Sequence, residues 1–187
     1  MLAANPDDRW IDGILHFWFV EIAREAWFSQ EDAFDRRLCE RFLAWHEQIA
    51  RLPIADCLRH AEAAVAAVIA LDQFPRNMFR GTARAFATDA KAREVAIGAI
   101  ARGFDAELSK DQRTFLYLPF EHAEDADDQA RCVELMASLG DPELLRFAVA
   151  HRDVIDRFGR FPHRNAILGR TSTAEEISYL AQPNCAF

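Results

Sequence analysis

The chain has 187 residues, 51% of them hydrophobic, including 15 Phe and 4 Trp, which is enough to build a sizeable core and excludes a disordered polymer. Its formal net charge of -8 excludes bulk-charge binding to nucleic acid or an anionic membrane, because neutralising phosphates needs a basic surface. No apolar run reaches the length of a membrane span.

The segment Met1 to Arg9 carries Asp7 and Asp8 instead of a basic stretch followed by an apolar one, so no secretory signal is read. Cys39, Cys57, Cys132 and Cys185 form no CxxC pair. They read as ordinary thiols of a reduced, cytoplasmic protein and not as a disulfide or zinc framework.

Trp10, Ile14, Phe17, Trp18 and Ile22 recur at helical spacing. Ser29 followed by Asp32 suits a helix start, and Phe34, Leu38, Phe42, Trp45 and Ile49 make the next stripe. Pro53 suits the opening of a third helix, which Pro75 is expected to stop. A fourth helix is predicted from Asp89 to Gly103. Ser109 with Gln112 resembles a capping box for a short helix closed by Pro119. Residues 124–139 form another helix, ended by Gly140. Asp141-Pro142-Glu143 opens one that reaches about Phe158, and Ser172 with Glu175 opens the last. No segment alternates with period two. The expectation is a single all-α domain, residues 1–187, of about seven to nine mostly antiparallel helices.

Two segments echo each other: Phe74-Pro75-Arg76-Asn77 and Phe161-Pro162-His163-Arg164-Asn165. They lie 87 residues apart, too far for one repeat unit. Each is expected to be an ordered, packed loop. Arg76, Arg80 and Arg84 form one acid-free island, and Arg157, Arg160, Arg164 and Arg170 form another. Two readings stand for them. The islands hold a small anion through their planar forks of donors, or they are paired internally, for instance with the acids of residues 121–128.

His122 and His163 lie near these segments, with Glu121 and Asp72 as carboxylate partners, a set suited to general acid/base work. There is no HExxH, EF-hand loop, GxSxG, P-loop or GxGxxG, so neither a metal site nor a cofactor is expected. His151-Arg152-Asp153 has the form of a kinase catalytic triplet, but none of its companion motifs is present.

Three stretches in order carry a family resemblance. They are Leu71-Asp72-Gln73-Phe74-Pro75-Arg76-Asn77-Met78-Phe79-Arg80-Gly81, Tyr117-Leu118-Pro119-Phe120-Glu121-His122-Ala123-Glu124-Asp125, and Phe158 to Asn165 with Leu168 to Thr173. With Phe17-Trp18-Phe19 and the terminal Phe187, the chain resembles the bacterial family called domain of unknown function 924. The resemblance implies an all-α fold of the tetratricopeptide-like helical class, and it implies no activity, substrate or catalytic residue. One departure is Ala123, where the family tends to have Ser.

The leading functional expectation is a helical binding protein whose cleft is built from residues 72–77, 121–125 and 161–164. Arg76, Asn77, Arg160, Arg164 and Asn165 would grip a small anion or an acidic peptide end. Alternatives are an enzyme using His122 or His163 with Asp72 or Glu121, or a scaffold that takes a protein partner on an aromatic groove. The sequence assigns no oligomeric state.

Overall fold

A computed structural model describes residues 8–27 and 30–182, and every described element is helical. Ser29, Cys185 and Phe187 lie outside the described residues. Cα proximity divides the chain into two compact units, one spanning residues 1–80 and 84–119, the other residues 81–83 and 120–187.

The first unit contains α1 (Arg9–His16), α2 (Asp32–Arg51), α3 (Ile54–Cys57), α4 (Ala61–Val68), α5 (Phe74–Met78), α6 (Asp89–Ala101) and most of α7 (Lys110–Glu121). Helix α4 is apolar all round, so it is buried from Ala63 to Val68 and packs against both α1 and α6. The α6 face includes Ala92, Ala96 and Ala99, small enough for close approach. Phe42 joins α2 to this core, its ring 4.7 Å from Phe17 and 5.1 Å from Phe74.

Gly13 sits in α1 because of a neighbour. A Cβ there would lie 2.5 Å from two ring atoms of Trp45. Gly13→Ala is therefore expected to cost about 1–3 kcal/mol by overpacking. Urea unfolding reads this as a lower midpoint, and an unchanged midpoint would show that Trp45 swings away freely.

Three expectations about helix boundaries in the first unit are corrected. Pro75 does not stop its helix: the chain widens to a π turn over Ile69–Gln73 and continues as α5. Pro75 has no N–H to give the preceding turn, so carbonyls there need other donors. His46 Nδ1 donates to Ala70 O at 2.8 Å, and Thr88 Oγ1 donates to Leu71 O at 2.5 Å. The first Phe-Pro segment is thus helical and not a loop. The third helix is broken between α3 and α4, so Pro53 opens only a short turn. Pro119 lies inside α7, which runs on to Glu121. The burial of Phe115, Leu116, Tyr117, Leu118 and Phe120 outweighs the local cost of the proline.

The second unit is α8 (Ala126–Ser138), α9 (Pro142–Phe158), a 3-10 turn over Pro162–Arg164, and α10 (Ala174–Leu180). Asp125 caps α8 through Asp128 N at 3.0 Å, and Asp141 caps α9 through Glu143 N at 3.0 Å. Between them Gly140 takes a left-handed φ of 66°, which reverses the chain so that α8 packs along α9. Phe161 packs with Val154 and Ile155 in a small core, against which Phe158 and Tyr179 are laid.

The last helix is capped one residue later than the expected Ser172 and Glu175. Thr173 and Glu176 form the box, with Thr173 N to Glu176 Oε2 at 2.7 Å and Glu176 N to Thr173 Oγ1 at 3.1 Å. The shift has a cause: Ser172 Oγ accepts from Asn165 Nδ2 at 3.1 Å, and Glu176 is the partner of Arg160.

Candidate functional site

In the first unit the chemistry-bearing residues are used internally. Asp72 is fully buried, receiving Gln73 Nε2 at 2.7 Å and lying 3.2 Å from Arg76 Nη1. Arg76 also forks onto Asp89 with bonds of 2.9 and 3.0 Å. Asn77 donates to Asp35 Oδ1 at 2.9 Å, and Arg80 forks onto the same carboxylate at 2.8 and 3.0 Å. Burial pushes the Asp35 carboxyl up, but the bonds from Arg80 and Asn77 hold it below its ordinary value. Arg84 meets Glu47 at 2.8 Å and lies 3.9 Å over the Phe79 ring. The first arginine island is an ion-pair set joining α5 to α2 and α6.

In the second unit Arg157, Arg160 and Arg170 are paired in the same way. Arg170 forks onto Glu124 at 2.6 and 2.9 Å, and Glu124 also accepts the Phe161 N–H at 2.8 Å. Burial acts to raise the Glu124 carboxyl, yet these bonds bring it below the usual range. Arg160 forks onto Glu176 at 2.6 and 2.8 Å, which holds that carboxyl down to about 2. Of the acids at 121–128, Glu124 pairs with the island and Asp125 serves as a helix cap; the remaining pairings use acids from α10.

Arg164 is the most buried arginine of this island. It is 7% exposed, its Nη1 donates to His122 O at 3.0 Å, and its guanidinium lies 4.4 Å over the Phe161 ring. Around that ring the structure gathers three histidines from three elements. The His151 and His163 rings are each 5.7 Å from Phe161, and His122 is 6.4 Å from His151. His122 comes from just beyond α7, His151 from α9 and His163 from the 3-10 turn. His122 and His163 are partly exposed, so the cluster has an edge at the surface.

Burial, offset in part by the bond to Phe147 O, takes the His151 imidazole down to about 3. His163 falls to about 4, first through burial and then through the charge of Arg164. Both rings are therefore neutral at pH 7. His151 Nδ1 lies 2.9 Å from Phe147 O, and a carbonyl only accepts, so the proton is on Nδ1 and the lone pair on Nε2. Among the described residues, His163 Nδ1 is buried with no protein hydrogen-bond partner.

Beneath the histidines lies buried Glu121, whose Oε1 is 3.6 Å from His151 Nδ1 and whose Oε2 is 3.9 Å from Cys132 Sγ. Burial, and then the Glu121 charge, push the Cys132 thiol up, so it stays protonated and is no nucleophile. Gln129 fixes the segment by donating from Nε2 to Glu121 O at 2.6 Å and Ala123 O at 2.8 Å. No spacing signal singles out Gln129, whereas Glu124 and Arg170 stand in the acidic and basic runs already noted.

Of the expected site residues, Glu121, His122, His163 and Arg164 come together in the second unit, while Asp72, Arg76 and Asn77 belong to the first. Arg160 and Asn165 lie near the cluster in sequence but are bonded to Glu176 and Ser172. No group of His, Cys, Asp and Glu suited to a metal occurs among the described residues. No helix among them is long and apolar enough to cross a membrane.

Among the described residues, fold and site define an all-helical protein with an imidazole cluster, neutral at His151 and His163 and open to the surface along one edge, beside Arg164. The model of the family described as "Bacterial protein of unknown function (DUF924)" matches residues 14–184, and the chain belongs to that family. A solved structure of a protein of unknown function from Agrobacterium tumefaciens is 46% identical, with a TM-score of 0.87, covering 91% of this chain and 96% of that one. No curated protein matches the chain.

Proposed function

We propose that this is a cytoplasmic binding protein that holds a small oxyanion, such as a carboxylate or phosphate group, at the imidazole cluster of its second unit. The observation that carries the reading is geometric: the Arg164 guanidinium, 7% exposed, lies beside His163, whose buried Nδ1 has no protein hydrogen-bond partner among the described residues. Burial first and then the Arg164 charge keep that ring neutral. A positive field at neutral donors favours a negative guest. Arg164 supplies charge, while His122 and His163 supply orienting donors at the exposed edge. The acidic peptide end is the same chemistry on a larger partner. Free thiols at Cys39, Cys57 and Cys132 agree with a reduced compartment.

Proton transfer fits less well than holding. An imidazole at about 4 is a feeble base at pH 7 and is uncharged there, so it is a poor general acid as well.

Thermal shift with sulfate, inorganic phosphate and acetate tests the reading. Saturation at about 100 times the dissociation constant adds about 2.7 kcal/mol of stability. Arg164→Gln, which removes the charge, is expected to abolish the shift. An equal shift in that variant, or none in the wild type, contradicts an anion site here.

A further inference from the structure

Resting on that reading, we infer that the site takes up its oxyanion together with one proton, which settles on His163, so that affinity is set by pH. His163 stands on a short 3-10 turn against Phe161, and its buried Nδ1 lacks a protein partner. The neutral ring therefore offers a donor at only one nitrogen, whereas the imidazolium has donors at both, and one faces the guest whichever edge it occupies.

Burial is the main reason the proton is absent before the anion arrives, and the charged groups around the ring add to it. Arg164 and His122 oppose a positive ring, as does Arg170, while Glu124 favours one. Glu124 also binds Arg170 and Phe161 N, and its pull on the proton ranks behind burial and Arg164. From α9 the facing group is His151, itself neutral; below it Glu121 lies against Cys132 and His151. An anion entering beside Arg164 cancels the principal opposing charge. The proton comes from solvent: one neutral imidazole plus one hydron gives one imidazolium, with no other bond made or broken.

Sulfate is the probe, because it stays a dianion throughout the range used. Calorimetry of the whole chain, in two buffers of different ionisation enthalpy, counts protons taken up per sulfate bound. Proton uptake is expected at about pH 5.5, with affinity weakening as pH rises toward about 7 at constant ionic strength. His163→Gln, which cannot titrate, is expected to bind sulfate more weakly and without proton uptake. His16→Gln, a change at an exposed histidine of the other unit, is expected to keep the full slope. Sulfate binding with no proton uptake overturns the inference and leaves the anion site standing. Uptake that survives in His163→Gln overturns the assignment to His163. No sulfate binding at any pH overturns the anion site, and the inference falls with it.

Discussion

Arg76→Ala is expected to destabilise the protein by about 3–5 kcal/mol, because it strands a buried carboxylate. Asp72 is fully buried and Arg76 is its cationic partner, so removing the guanidinium leaves the carboxylate with its bond from Gln73 but without that countercharge. The same change also frees Asp89 from its two bonds and removes the tie between α5 and the start of α6. Arg84→Ala provides the contrast. Its pair with Glu47 is 52% and 40% exposed, and exposed pairs contribute about 0–1 kcal/mol. Chemical denaturation of both variants checks the difference. Equal losses would mean that burial does not govern these ion pairs.

Stability is also expected to fall steeply as pH drops below about 6.5, earlier than carboxylate titration alone would cause. The unfolded histidines take protons near their ordinary 6.5, whereas His151 and His163 stay neutral in the fold until about 3 and 4. Between those values the unfolded state binds more protons, so stability rises with pH and is lost on acidification. Each ring contributes a slope of about 1.4 kcal/mol per pH unit. His46, lowered by burial, acts in the same sense. Glu124 and Glu176 have lowered values, so their contribution is present above 4.5 and is lost only as pH falls further. Denaturation across a pH series reads the slope directly, and His151→Gln should reduce it by one proton. A flat profile from about pH 6.5 to 5 would show that these rings are not held neutral.

Helical class and most boundaries were legible because caps and periodicity are local. Asp141 before Pro142 and the Ser109–Gln112 box form the bonds their types predict. Prolines 75 and 119 misled because a proline reads as a stop from its own chemistry alone. Whether a helix continues depends on distant donors, here His46 and Thr88, and on burial. The arginine islands were visible, but their partners Asp35, Glu47, Asp89 and Glu176 come from other helices. Local charge counting therefore could not distinguish an anion site from internal pairing. The two Phe-Pro segments look alike and differ in role. In one, Arg76 is locked between carboxylates; in the other, Arg164 lies over an aromatic ring among imidazoles. Gln129 and Cys132 join the site through the packing of α8, which no spacing reveals.

The most direct measurement is a sulfate titration followed by histidine-selective NMR of the imidazole rings. Changes concentrated in His122, His151 and His163, with His16, His46 and His60 unmoved, are the result expected for a site in the second unit. If the three clustered rings stay still while sulfate binds, or if all six move alike, the anion lies elsewhere and the cluster is structural.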